Sequence, residues 1–315
     1  MKKQIERILS KPARPGMVGD GFRVFNYIPG SGNVPQQRIS PFLLLDFNAE
    51  FDFGPSDHLR GVDVHPHKGF ETVTIAYKGS VAHHDSAGNS GVIKPGDVQW
   101  MTAGAGILHK EYHEQEFSKK GGPFEMVQLW VNLPKKDKLT APHYQGITKE
   151  QMGKLELPDG QGQVNVIAGT FAVVQDSDAV LPDAGKTGNQ RPGNAGAGIT
   201  GPAQTYSPVN LFDIQLKKGG ALRTSLPAAY NTAILVVRGS IEVNGQAAST
   251  HSFVLFRNEG EEIEIVAKDD AVLLVLSGEP LNEPIASYGP FVMNTQEEIM
   301  ESIREFQTGK FGVLD

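Results

Sequence analysis

Cysteine is absent from this sequence of 315 residues. The absence excludes disulfide bonds, thiolate zinc sites, iron–sulfur clusters and cysteine nucleophiles. A metal ion in this protein must therefore be held by imidazole and carboxylate groups.

Long apolar runs and clusters of basic residues are also missing. The longest apolar runs, such as residues 271–276, have the length of a strand and fall far short of a membrane span. The charged start at residues 1–7 leads into no apolar segment, so we predict no secretory signal. The net charge of −7 argues against direct binding to nucleic acid. We expect a soluble cytoplasmic protein without membrane contact.

Short β-rich segments, separated by glycine and proline, make up most of the chain. Many short strands at close spacing are typical of sandwiches and barrels rather than βαβ units. The sequence therefore predicts an all-β protein with strands at Phe42–Leu45, Thr72–Tyr77, Val98–Met101, Met126–Val131, Asn165–Ile167, Leu211–Leu216, Ala233–Val237, Ile241–Val243, Phe253–Phe256 and Ile263–Val266.

One helix is predicted near the end, at residues 295–308. Residues 295–298 have the form of a capping box, and Gly309 is a stop signal. Between them an apolar stripe of Ile299, Ile303 and Phe306 indicates a helix that packs on a barrel.

The chain length predicts two domains. We place the boundary in the proline-bounded, lysine-rich segment 134–142, which gives domains at 1–135 and 136–315. Within the second domain, 183–208 is rich in Gly, Ala, Asn and Pro, and we predict a long loop there. A surface insertion is the simpler interpretation, and a cover for a site is the alternative.

A short internal repeat supports a duplicated β-domain. Residues 74–81 resemble residues 234–241, and Gly79 and Gly239 occupy the same place in the two segments. Each segment has the form of a strand, a glycine turn and a second strand.

Two dipeptide-spaced pairs, His65/His67 and His109/Glu111, are candidates for a metal site. In an extended strand, residues i and i+2 point to the same side. Two such pairs on facing strands would offer three imidazoles and one carboxylate, a set that suits several divalent transition metals and leaves positions open. A lone His-x-His is more simply a polar turn, and the second pair favours the metal site. The equivalent positions of the second copy hold Ser225 and Pro227, so we expect that barrel to be structural or a wall of the pocket.

Several motifs resemble the pirin family, a group of bicupins within the cupin superfamily; they lie at residues 65–73, 95–104, 106–111, 128–134 and 288–294. The resemblance implies two cupin barrels of the double-stranded β-helix (jelly-roll) type in tandem. It also implies one mononuclear metal in the first barrel, bound by the four side chains named above. Glu71 matches a ligand of many other cupins; here we predict that it accepts a hydrogen bond from a ligand imidazole instead. The long loop 183–208 departs from the pirin pattern.

The resemblance further implies activity of the quercetinase type, a flavonol 2,4-dioxygenase (quercetin 2,3-dioxygenase) that uses O2 and releases carbon monoxide. Glu111 would take the proton of the flavonol 3-hydroxyl. Fe(II) is the favoured metal, and Cu, Mn, Ni and Zn are alternatives. A second hypothesis is a non-catalytic, metal-dependent module that binds a protein partner, as a transcriptional cofactor does. A third is an oxygenase or isomerase with another substrate.

Other side chains receive simpler interpretations. Position suggests that the pocket is lined by Phe42, Leu44, Phe53, Val98, Met126 and Gln128. Trp100 and Trp130 are predicted as core aromatics. We expect solvent-exposed or core positions, rather than metal binding, for His58, His83, His84, His113, His143 and His251.

Overall fold

The structure is a computed structural model that describes residues 1–29, 34–172, 174 and 198–314. The strands of the first half are β1 (Ile5–Leu9), β2 (Gly16–Val18), β3 (Phe22–Ile28), β4 (Phe42–Phe53), β5 (Gly61–His67), β6 (Phe70–Lys78), β7 (Val81–Asp85), β8 (Ser90–Ile93), β9 (Val98–Thr102), β10 (Ile107–His113), β11 (Gly122–Asn132) and β12 (His143–Ile147). Those of the second half are β13 (Gly153–Glu156), β14 (Gly162–Ala168), β15 (Thr170–Phe171), β16 (Ile199–Thr200), β17 (Val209–Leu216), β18 (Ala221–Ser225), β19 (Asn231–Arg238), β20 (Ile241–Val243), β21 (Gln246–Ala248), β22 (Phe253–Phe256), β23 (Glu262–Ala267), β24 (Ala271–Gly278), β25 (Ala286–Tyr288) and β26 (Phe291–Met293).

Helices are few and short in the described part of the chain. They are α1 (Gln36–Ile39), α2 (Gln115–Lys120) and α3 (Gln296–Gln307), together with single 3-10 turns at Lys135–Asp137 and Pro158–Gly160. Among these residues, no helix has the length and apolar character needed to cross a membrane.

Each half forms a two-sheet barrel of the same design. The first has a seven-stranded sheet in the order β12-β9-β6-β11-β4-β3-β2, faced by a four-stranded sheet in the order β5-β10-β7-β8. The second repeats this with β1-β22-β19-β24-β17-β14-β13 and β18-β23-β20-β21. Gly79 and Gly239 both have positive φ, at 74° and 76°, at equivalent strand ends. All ten predicted strands lie within observed strands, and the prediction of two tandem barrels is confirmed.

The two large sheets pack against each other and share one apolar core. Its buried members include Val73, Trp100 and Leu129 from the first half and Leu211 and Leu235 from the second. Because strand side chains alternate, one face of each large sheet is committed to this core, and only the other face is available to its own barrel.

Two strands cross the predicted boundary at 135/136. β1 pairs with β22 of the second barrel, and β12 pairs with β9 of the first. The linker enters the first barrel as its edge strand before the chain leaves for the second. The domain boundary between residues 135 and 136 stays a prediction. In the structure, each barrel contains one strand from the other side of that boundary: β1 belongs to the second barrel and β12 to the first.

The C-terminal helix begins as predicted. Thr295 Oγ1 accepts from the Glu298 backbone N–H at 3.2 Å, and the Glu298 carboxylate accepts from the Thr295 N–H at 3.0 Å. Ile299 is buried against Phe291 and Phe311. Of the loop predicted at 183–208, residues 183–197 lie outside the described residues, and the rest returns the chain to the second barrel through β16 and β17.

Candidate metal centre

Cross-strand register brings three histidines together inside the first barrel. His65 and His67 lie two residues apart on β5, and His109 of β10 pairs directly with His65. The ring centroid of His109 lies 4.2 Å from that of His65 and 4.7 Å from that of His67. Each ring offers a nitrogen, and the three nitrogens lie within 4.8 Å of one another.

The protonation and pairing of these rings suit a metal ion. Burial lowers the pKa of His65 and drives the pKa values of His67 and His109 well below the usual value, so the rings are neutral, as metal ligands must be. His65 directs Nδ1 at the Asp63 carbonyl at 2.7 Å, which leaves Nε2 for the centre. Within the described residues, Nδ1 of His67 and both ring nitrogens of His109 have no hydrogen-bond partner. Such orphaned buried nitrogens are costly unless an ion uses them.

Glu111 extends the group on the same strand face as His109. A register shift separates the two residues, and the Glu111 carboxylate lies 3.9 Å from His109 Nε2. Thr74 Oγ1 lies 3.3 Å from Glu111 Oε1, within reach to donate. Burial raises the pKa of Glu111 to about 7, and a divalent cation nearby would favour the charged form. The structure thus brings three of the four predicted ligands, the histidines, within 4.8 Å of one another. It places Glu111 3.9 Å from His109 and outside that group of three, and ligation itself stays a prediction.

Glu71 does not hold its predicted position beside a ligand imidazole. Its partner across the sheet is Thr102, whose hydroxyl donates to Glu71 Oε1 at 2.8 Å. Glu71 lies on the face of β6 opposite to Thr72 and Thr74, so strand alternation directs its carboxyl away from the histidines. Motif spacing places Glu71 on the right strand without specifying its face.

A cavity of about 340 Å³ opens on His65, His67 and Glu111. Three of the six predicted lining residues contribute to it: Leu44, Met126 and Gln128. Phe42 and Val98 belong instead to the core shared by the halves, and Phe53 packs on the His113 ring at 4.6 Å. Sequence reasoning missed the other members of the wall: Val18, Phe22, Val24, Asp46, Asn48, Val62, Trp130, Gly289 and Pro290.

The two tryptophans have different roles. Trp100 is fully buried in the shared core, as predicted. Trp130 is only half-buried and lines the cavity. Its ring centroid lies 4.2 Å from that of the buried Phe70, with the ring planes tilted by 30°, and 5.3 Å from that of His67. Its prediction as a simple core residue is wrong, because its strand position faces the barrel interior.

The C-terminal hairpin supports the histidine strand from outside the barrel. Lys68, next to His67, donates its backbone N–H to the Pro290 carbonyl at 3.2 Å and accepts from the Val292 N–H at 3.0 Å. The Lys68 ammonium forms an ion pair with Glu305 of α3. Residues 288–294 match the pirin pattern, so the sequence marks this hairpin as part of the resemblance. Nothing in the pattern indicates that the hairpin contacts the strand of His65 and His67.

Four of the six remaining histidines have ordinary hydrogen-bond partners, namely His58, His83, His84 and His113. His83 Nε2 lies 2.7 Å from the Tyr144 hydroxyl, His113 Nε2 lies 2.8 Å from the Gly21 carbonyl, and His58 pairs with Asp20 on the surface. None of these rings joins the group of three described above.

Comparison with known proteins identifies the family. A family model described as "Pirin" matches residues 21–131, and one described as "Pirin C-terminal cupin domain" matches residues 211–312. A protein of Pseudomonas aeruginosa named "Putative quercetin 2,3-dioxygenase" is 46% identical over 294 residues, which cover 93% of each chain. A "Pirin-like protein" of Caulobacter vibrioides is 35% identical, with 95% of this chain and 96% of that protein covered.

Among solved structures, a crystal structure of quercetin 2,3-dioxygenase from Acinetobacter baumannii matches over the full length of both chains. Its TM-score is 0.85 and its sequence identity is 42%. The two family matches coincide with the two barrels, and the first includes all four predicted metal ligands. This chain belongs to the pirin family.

Proposed function

We propose that the protein is a metal-dependent dioxygenase of the quercetin 2,3-dioxygenase type that acts on flavonol-like substrates with O2. The observation that carries the proposal is the cavity, which places an aromatic-sized space directly against His65, His67 and Glu111. Relatives named for this reaction share the full length of the chain and support the assignment.

The cavity has the size and polarity that a flat aromatic ligand needs. Its volume of about 340 Å³ falls in the range of small-molecule sites, which are mostly apolar with a few placed polar groups. Phe22, Val24, Leu44, Met126 and Trp130 provide apolar walls. Such a concave, largely apolar site favours the enzyme over a regulatory module, which needs a surface that binds a partner protein.

The three imidazoles and Glu111 would hold one divalent transition metal. Fe(II) is our first choice, and Cu, Mn, Ni and Zn suit the same donors. When bound, the ion supplies Lewis acidity and an orienting point for the substrate oxygens.

Glu111 is the proposed catalytic base. Its carboxylate lines the cavity, where it can take the proton of a flavonol 3-hydroxyl. Thr74 Oγ1 lies 3.3 Å from one carboxylate oxygen of Glu111, close enough to orient it. The apolar walls lower the local dielectric around Glu111, which strengthens the electrostatic interactions of the site.

The test is turnover of quercetin under air by protein loaded separately with Fe, Cu, Mn, Ni or Zn. Flavonol absorbance and carbon monoxide are followed together. We expect turnover with at least one metal, loss of metal and activity in His65→Ala, and loss of activity in Glu111→Gln. His143→Ala is the matched control, because His143 is exposed on β12. Full metal occupancy without carbon monoxide from any form would favour the non-catalytic alternative.

A further inference from the structure

The cavity wall that faces the histidines carries polar groups with no part in the proposed proton transfer. Asp46 and Asn48 lie two residues apart on β4 and both line the cavity. In register, Asp46 pairs with Gln128 and Asn48 pairs with Met126 on β11. A polar patch therefore lies in an otherwise apolar wall.

Asn48 is the residue whose burial most needs an explanation. Its side chain is 2% exposed, and within the described residues neither its amide nitrogen nor its amide oxygen has a hydrogen-bond partner. Buried amides without partners are costly and rare. The cross-strand neighbour Met126 shows that an apolar side chain fits at this level of the wall. A rotation of this amide toward the cavity would let a ligand hydroxyl satisfy both of its atoms, since a hydroxyl donates and accepts.

Asp46 is held in place beside it. Asn26 Nδ2 donates to Asp46 Oδ1 at 2.8 Å, which fixes the carboxyl and leaves the second oxygen for a ligand. Gln128, the next residue across the sheet, accepts from the Thr74 hydroxyl at 2.8 Å. The patch is thus continuous with the residue that positions Glu111.

Building on the proposed function, we propose that Asn48 and Asp46 bind a phenolic hydroxyl of the substrate other than the one that faces Glu111. The preferred ligand class is then the polyhydroxylated planar aromatics rather than plain ones. A site built to pair a ligand hydroxyl discriminates against the analogue that lacks it, because the buried polar groups are left unpaired.

Binding without turnover tests this directly. Kaempferol and 3-hydroxyflavone share the 3-hydroxyl and 4-carbonyl, and only kaempferol carries further hydroxyls. Their dissociation constants are measured without O2 on metal-free and on Zn-loaded protein. We expect wild type to bind kaempferol at least about 10-fold more tightly in both forms, as one buried hydrogen bond implies. Asn48→Leu should bring this ratio below about 3, and Asp46→Asn should lower it in the same direction.

Asp52→Asn is the matched control, because Asp52 lies exposed on the same strand β4 and does not line the cavity, and its ratio should equal that of wild type. Melting temperature verifies folding; if Asn48→Leu does not fold, Asn48→Ser carries the same expectation. Equal binding of the two flavonols by wild type, no binding of either, or an unchanged ratio in the Asn48 variant would overturn the inference. A normal ratio without turnover by any metal form would overturn only the proposed dioxygenase.

Discussion

At the scale of single residues, the proposed metal site consists of buried side chains whose polar atoms lack hydrogen-bond partners. A bound cation would remove the energetic cost of burying them. His109 is completely buried, and neither ring nitrogen has a hydrogen-bond partner among the described residues. An unpaired buried donor or acceptor costs about 1–3 kcal/mol. The free energy of the metal-free protein is therefore raised by the same side chain that would bind the ion.

His109→Leu separates these two effects. We expect the variant to lose stoichiometric metal, while the melting temperature of its metal-free form equals or exceeds that of metal-free wild type. Metal added at about 100 times its dissociation constant should stabilise wild type by about 2.7 kcal/mol and leave the variant unchanged. Metal analysis and thermal unfolding measure both. A large loss of stability in the metal-free variant would contradict this account of His109.

Thr74 is a positioning residue for Glu111. Its hydroxyl lies 3.3 Å from the Glu111 carboxylate and 2.8 Å from Gln128. Thr74→Val keeps the shape and removes the hydroxyl, so we expect kcat/KM to fall about 10-fold at unchanged metal content. Thr74→Ser should restore most of the loss. Full activity in Thr74→Val would show that the hydroxyl does not position the base.

The four ligand positions were predictable from the sequence because strand alternation is local: two residues at i and i+2 face one side whatever the rest of the chain does. The contributions of Thr74 and Asn48 were not predictable, since each depends on which strand lies beside its own. Glu71 shows the limit of the same rule. The motif spacing identified the strand that carries Glu71. Only the pairing of Glu71 with Thr102 on β9 shows that its carboxyl points away from the histidines.

At the scale of elements, the C-terminal hairpin and α3 form a brace behind the histidine strand. The ammonium of Lys68 is nearly buried and pairs with Glu305 of α3, while Pro290 of the hairpin lines the cavity. The capping box predicted where α3 begins. Its docking site could not be predicted, because the contact joins residues more than two hundred positions apart.

Glu305→Gln should loosen this brace. The change leaves a nearly buried ammonium without its counter-charge, so we expect a loss of about 1–3 kcal/mol in stability and weaker binding of kaempferol. Glu301→Gln is the control on the same helix, because Glu301 pairs only with the exposed Arg304 where the structure describes it. Urea unfolding and ligand titration measure the two effects. Equal stability of the two variants would contradict a bracing role.

At the scale of the whole molecule, one design serves two purposes. The interior of the second barrel is filled by apolar side chains, among them Leu222, Ile234, Val236 and Ile265. The corresponding space of the first barrel holds the cavity and the histidines. The internal repeat predicted the duplicated barrel. The lack of metal-binding residues in its second copy predicted that only the first barrel carries a site. The strand exchange of β1 and β12 was not predictable, because pairing between distant segments is not encoded in local patterns.

An ion pair joins the two barrels at the edge of the shared core. Arg238 of β19 donates from Nη1 to the Glu125 carboxylate of β11, and Glu125 is fully buried. Burial raises the pKa of Glu125 to about 7 from an ordinary value of 4.5, although Arg238 lowers it. Because the folded value lies above the unfolded one, the contribution of this carboxyl to stability is fully present below about pH 4.5. It is lost as the pH rises through about 7.

Arg238→Met should therefore destabilise the protein in a pH-dependent manner. At pH 5 the Glu125 carboxyl is protonated in the folded state, and loss of the arginine costs little. At pH 8 the variant must bury an unpaired carboxylate or bind a proton. We expect an added cost of about 1 kcal/mol relative to wild type, because a rise of the Glu125 pKa from about 7 to above 8 changes stability at pH 8 by at most about 1.4 kcal/mol. Glu125→Gln in the Arg238→Met background should remove the difference between the two pH values. Thermal unfolding of metal-free protein at pH 5 and pH 8 provides the measurement. A cost that is equal at both pH values would mean that Arg238 holds the barrels together by packing on Tyr77, 5.8 Å from its guanidinium, and not by its charge.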